Sequence, residues 1–148
     1  MPYERYRRGT IATVMSTDLN SMANNALVVA AADYDNSAGG TGDGFTMAEY
    51  EGFFQFGTSP TAGTGLSGWW LSTPDGTNRE DGSTTITPAR APDFIFPVRA
   101  VTTVQRIVMD APLPPGAVRM LLKNDATGQA LVASANTVKI RPYTYDGV

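Results

Sequence analysis

The chain has 148 residues, 42% of them hydrophobic and 17% charged, a formal net charge of −3, and neither cysteine nor histidine. That balance fits a single globular domain with a real core rather than a disordered chain. The missing residue types exclude disulfides, thiolate metal sites, a cysteine nucleophile, the Ser-His-Asp triad and histidine-based acid–base designs.

In chain order, residues 1–12 read as an extended N-terminal arm and 13–148 as one domain. The arm is basic, with no apolar stretch behind it to make a secretory signal. Tyr3, Arg5, Tyr6, Arg7 and Arg8 give it large groups without a burial pattern, and Arg and Tyr are common interface anchors. The segment is either a frayed terminus or an arm in which these residues are the candidate contacts to a partner or a neighbouring subunit. Ser16-Thr17-Asp18 ahead of Leu19, Met22 and Ala23 predicts a short helix capped by Ser16 or Thr17 and ended by Asn24-Asn25. Residues 26–32 predict a buried strand, although their alanines suit a helix equally. Residues 37–44 form a Gly-rich loop that lacks the Lys-Ser/Thr of a phosphate cradle.

Residues 46–57 predict a strand with Tyr50, Gly52, Phe54 and Phe56 on one face and Glu49, Glu51, Phe53 and Gln55 on the other. After a loop over 58–65, residues 68–72 predict a strand paired with it as in a hairpin. Trp69 and Trp70 are adjacent, so they must point to opposite sides of that strand. One joins the core, and the other is a candidate exposed aromatic contact with water, a neighbour or a ligand. Asp75, Asn78, Glu80 and Asp81 gather oxygen ligands as a calcium loop does, but EF-hand spacing is absent and the two Asp-Gly pairs are ordinary turn chemistry. Residues 83–92, with Pro88 and Pro92, read as an edge strand and a turn.

Three further strands are predicted over 98–109, 117–124 and 136–145, separated by turn signals at 112–116 and 124–128. In the last, Val138, Ile140 and Pro142 alternate with Lys139, Arg141 and Tyr143, the period of a strand with one face on a core. Short connections without a crossover helix make the sheets antiparallel. Gly 15 and Pro 10 add many turns, and the class is all-β. No apolar run approaches the ~18 residues of a membrane helix.

Charge is unevenly distributed. From Gly9 to Asn78 there is no Lys or Arg, while Asp18, Asp33, Asp35, Asp43, Glu49, Glu51 and Asp75 all lie there. The plain reading is a surface whose charge is patchy by chance; the sharper one is that acidic and basic faces meet across the sheets' rims or between subunits. An acidic chain with one short basic arm is a poor general binder of nucleic acid.

The segments STPDGTNREDGS (72–83), FPVRAVTTVQRIVMDAPLPPGAVRMLLKNDATGQAL (96–131) and ANTVKIRPYTYDGV (135–148) resemble a family of small virion structural proteins of tailed double-stranded DNA bacteriophages. The piece from Leu19 to Asn24 resembles the family's early segment, and the likeness covers roughly Asp18 to Val148. Trp69-Trp70 departs from it, standing where a less bulky, more alternating strand is expected. The resemblance implies an antiparallel β-sandwich, jelly-roll-like, that belongs to the particle as a capsid decoration or cement protein. It implies the virion surface as the location, after synthesis in the host cytoplasm, and the major capsid protein as partner. A homo-oligomer is expected, a trimer first. The family carries no catalytic residues, cofactor or metal to transfer, and no nucleic acid or membrane partner is expected.

Two other classes stay open. A glycan- or receptor-binding module on the virion would use Trp69, Trp70 and the loops at 37–44 and 58–65. A carboxylate enzyme would draw on Glu49, Glu51 and Asp75, whose spacing singles none of them out. The absence of histidine weighs against catalysis, and the chain is read as a non-enzyme.

Overall fold

Side-chain alternation dictates the layers. Ala48, Tyr50, Gly52 and Phe54 are buried, while Met47, Glu49, Glu51 and Phe53 between them are only half-buried. Val138 and Ile140 are likewise buried between Lys139 and Arg141. Each such strand has one face for a core and one for solvent.

The computed structural model describes residues 5–37 and 44–146, with only the main chain of Arg5, Tyr6 and Asp146. The chain runs β1 (Arg5–Arg8), β2 (Ala12–Met15), a 3₁₀ turn (Thr17–Leu19), β3 (Leu27–Val29), β4 (Tyr34–Asn36), β5 (Met47–Phe54), β6 (Gly65–Ser72), β7 (Phe94–Pro97), β8 (Gln105–Pro112), β9 (Gly116–Asp125) and β10 (Thr137–Asp146). All pairings are antiparallel and fall into two five-stranded sheets. In the first, β1 and β2 lie along one side of β10, followed by β5 and then β8 at the far edge. In the second, β3 and β4 lie along one side of β9, followed by β6 and then β7. The molecule is an antiparallel β-sandwich.

The core between the sheets is aromatic. Trp70, Tyr50, Phe54, Phe56 and Phe96 are fully enclosed. The Tyr50 and Phe94 rings lie 4.8 Å apart, and Phe96 meets Phe54 edge-on at 5.3 Å. Tyr50 ties the layer together: its hydroxyl donates to the Pro112 carbonyl at 2.9 Å and accepts from Trp70 Nε1 at 2.8 Å. Burial pushes its ionisation well above the usual tyrosine range, although the Trp70 bond opposes that. Two glycines make room for the rings. A Cβ on Gly68 would lie 2.1 Å from the Phe94 ring, and one on Gly52 would lie 2.4 Å from the Phe54 ring.

Several sequence expectations are corrected. β5 and β6 do not form a hairpin; they lie in opposite sheets, because the 58–64 connection is long enough to cross the sandwich. The strand expected over 98–109 begins only at Gln105. Buried Gln105 folds the preceding segment back, accepting from the Arg99 N–H at 2.7 Å and donating to the Arg99 carbonyl at 2.9 Å. Residues 83–92 hold no strand, and the expected helix near residue 17 is one 3₁₀ turn with no side-chain cap. β4, for which the sequence predicted no strand, pairs with β9 at its Gly116 end. Of the expected arm, residues 5–8 form β1, in register with residues 143–146.

Candidate functional site: the outer face of the first sheet

The two sheets differ in what covers them. The outer face of the second sheet carries Trp69, Leu71 and Leu121, buried with Leu27 and Val29 packed against them. The long connection from β6 to β7, residues 73–93, crosses this side as a strap. Trp69 Nε1 donates to the Arg90 carbonyl at 3.1 Å. Arg90 is the strap's hub: it donates to both oxygens of Glu80 at 2.7 and 2.9 Å, to Asp93 at 2.6 Å and to the Trp70 carbonyl at 2.9 Å. The Arg90 bonds hold the Glu80 carboxyl below its ordinary range. Asp33, just before β4, accepts from Arg119 Nε at 2.6 Å and also pairs with Arg79 of the strap.

The exposed tryptophan expected from sequence therefore does not occur. Trp70 is in the core at 0% exposure, and Trp69 is under the strap at 3%. A calcium loop is likewise not assembled. The Asp75 carboxylate accepts from the backbone N–H of Thr77 and Asn78 and from Asn78 Nδ2, which holds its pKa down to about 2. Glu80 is committed to Arg90. Among the described residues no three His, Cys, Asp or Glu side chains are grouped for a metal.

Among the described residues nothing comparable lies over the first sheet. Cross-strand register sets out its outer face in rows. One row is Arg8, Tyr143, Met47 and Pro112; the next is Arg141, Glu49 and Asp110; the next is Thr13, Lys139, Glu51 and Val108; the last is Thr137, Phe53 and Arg106. Tyr143 and Tyr145 meet edge-on at 6.1 Å at one end, and Tyr145 is 61% exposed. Arg8 Nη2 donates to Glu49 at 2.7 Å, and Arg106 Nε donates to Glu51 at 2.7 Å. Among the described residues Lys139 and Arg141 have no anionic partner, and the Arg141 Nε is buried without a hydrogen bond. These two cations line a hollow of about 380 Å³ with Ile11, Glu49, Glu51 and Arg106. Lys139 and Arg141 stand opposite Glu51 and Glu49 in register, but both carboxylates are bonded to other arginines, so the hollow holds three cations against two carboxylates. It can accept an acidic side chain or a backbone carbonyl from a partner.

No family model, no curated protein and no solved structure matches the chain.

The arm residues are dispersed in role. Tyr3 lies outside the described residues, as do the side chains of Arg5 and Tyr6. Arg7 stacks its guanidinium over the Phe45 ring at 4.6 Å, and Arg8 is engaged by Glu49. The sequence reading missed Lys139, Arg141 and Tyr145 as site residues. Their signal was present in the alternation of β10, which assigned Lys139, Arg141 and Tyr143 to its solvent face. What was absent was the knowledge that this strand lies mid-sheet on an uncovered side.

Proposed function

We propose that this chain is a virion structural protein of a tailed double-stranded DNA phage, a capsid decoration or cement protein whose first sheet lies on the major capsid protein. The observation that carries the reading is the asymmetry of the sandwich. One broad face is sealed by its own strap, and the other presents tyrosines, ion pairs and a cationic hollow to solvent. Such a face suits a macromolecular surface better than a small substrate. The family resemblance of 72–83, 96–131 and 135–148 supplies the phage context. The strand order supports the jelly-roll reading. With β1/β2 and β3/β4 each counted as one broken strand, the orders are 1-8-3-6 and 2-7-4-5, as two intertwined Greek keys require.

A role without catalysis accords with the carboxylates. Glu49 and Glu51 are ion-paired, and Asp75 caps its own turn. The glycan reading loses its aromatic carriers, since both tryptophans are buried.

Co-sedimentation with undecorated phage shells tests the proposal. Wild-type protein pellets with shells, and raised salt releases it. The double variant Lys139→Glu/Arg141→Glu, at half-exposed positions, sets carboxylates opposite Glu51 and Glu49, so its folding is checked by circular dichroism; the folded variant loses at least about tenfold in binding. Wild-type protein that stays in the supernatant at every salt concentration would sink the reading.

A further inference from the structure

The free edge of the first sheet is β8. Its inner side pairs with β5 over all eight residues without a bulge, and among the described residues no strand lies on its other side. An exposed edge of that length offers a row of unpaired backbone groups, which proteins usually blunt with proline, bulges, inward charges or a cover. Here the only proline, Pro112, stands at the strand's end. The other edges are shorter or broken: β7 has four residues, and β1/β2 and β3/β4 are interrupted.

The side chains along this edge have an order that matters. On the outer face β8 carries Arg106, Val108 and Asp110, all exposed. Read in the opposite direction, the pattern is its own complement. Val108 is 49% exposed, and Val104, just before the strand, is 39% exposed. Asp110 lies directly opposite Glu49 in the β5 pairing, and like charges in that relation destabilise each other. Glu49 has Arg8, whereas Asp110 has no cation among the described residues. Arg106 is engaged by Glu51, yet 67% of its side-chain surface is open to further donation.

We propose that β8 pairs with β8 of a second copy. The two strands run antiparallel about a two-fold axis at Val108, with Arg106 of each copy opposite Asp110 of the other. Ile107 then faces Met109 across the junction, and the half-buried flanks of both side chains are covered. The occupant is a second copy because the complement of this edge is its own sequence. An antiparallel edge joined about a two-fold axis closes at two chains, which favours a dimer over the trimer expected from sequence. The proposal does not depend on the virion reading.

The test uses mass in solution and a cross-link. Light scattering at about 100 µM, where even a micromolar dimer is saturated, gives twice the 15.7 kDa chain mass. Asp110→Lys sets two cations against each other and weakens the dimer at least tenfold. The charge exchange Arg106→Glu/Asp110→Lys restores it. The chain has no cysteine, so Val108→Cys places one thiol at the axis, where it forms an interchain disulfide under mild oxidation. Ile11→Cys, at a position 58% exposed on the opposite edge, stays unlinked. The proposal is overturned by a wild-type monomer or trimer, by an Asp110→Lys dimer of undiminished affinity, or by Val108→Cys linking no faster than Ile11→Cys. Circular dichroism confirms that each variant is folded, and the cysteine pair tests the geometry without altering charge.

Discussion

Buried asparagines hold this sandwich where its ladders stop. Asn124 Nδ2 donates to the carbonyls of Met22, Ala23 and Gln129, at 3.3, 3.2 and 2.8 Å, and its Oδ1 accepts from Thr127. Asn36 bridges Phe45 and Pro114 in the same way, and Asn136 bridges Gln55 and Val132. Each satisfies backbone groups that a crossing loop would otherwise leave unpaired. Asn124→Asp keeps the shape but turns an acceptor toward three carbonyls. It should cost at least about 3 kcal/mol, read by urea denaturation, because several buried groups lose their partners at once. Tyr50→Phe should cost about 1–3 kcal/mol by orphaning the Pro112 carbonyl and the Trp70 N–H. A melting temperature unchanged in either variant would contradict these assignments. Sequence marked Asn124 as punctuation, rightly, since β9 ends beside it. Its burial was not legible, because that depends on residues 22–23 arriving from a hundred positions away.

At the scale of elements, alternation was the readable part and connection the unreadable part. The faces of β5 and β10 follow directly from their residue patterns. Whether the loop after β5 turns back within one sheet or crosses to the other is settled by the packing of Phe54, Trp70 and Phe96 between the sheets, which no local signal records. The strap shows the same limit: Pro88 and Pro92 suggested an edge, whereas residues 73–93 serve as a cover. That cover depends on pH through carboxylates with depressed pKa values. Glu80 is lowered chiefly by its hydrogen bond from Arg90, and Asp75 is lowered to about 2 by its own turn. Both contribute stability above their ordinary carboxyl pKa and lose it as pH falls through the depressed folded values. The strap should therefore loosen on acidification from about pH 4.5 toward pH 2, ahead of the core. Amide exchange over residues 73–93 and the emission of Trp69 report it. Exchange and emission that hold constant until global unfolding would show that the Arg90 clasp does not secure the strap.

For the whole molecule, the uneven charge of the sequence resolves into pairing within the chain. Asp33, Glu49 and Glu51 come from the stretch that has no cation, and they meet Arg79, Arg119, Arg8 and Arg106 from outside it. Exposed pairs of this kind contribute about 0–1 kcal/mol each, so they set register and surface chemistry more than stability. The N-terminal segment is part of the same design. Removing residues 1–8 deletes β1 and the partner of Glu49 and strips one end of β10. It should lower the melting temperature by at least about 4 °C, and an unshifted melt would mean that β1 contributes nothing to the sheet.

If β8 joins two copies, the first sheets become one continuous surface with two cationic hollows. Two linked sites bind a regular lattice far more tightly than either alone, by about 10²–10⁴. This gain requires that both hollows reach their sites together. The consequence separates docking from pairing. Asp110→Lys keeps both hollow cations in each chain but breaks the dimer, so its affinity for shells should fall about 100-fold at equal chain concentration. Lys139→Glu/Arg141→Glu keeps β8, so it remains a dimer and loses binding at each hollow. Shell titrations of both variants, with their masses measured in parallel, decide between the outcomes. A monomeric Asp110→Lys that binds as tightly as wild type would leave the docking face standing and remove any role for the second copy in it. A dimeric Lys139→Glu/Arg141→Glu that binds as tightly as wild type would move the docking site off this face altogether.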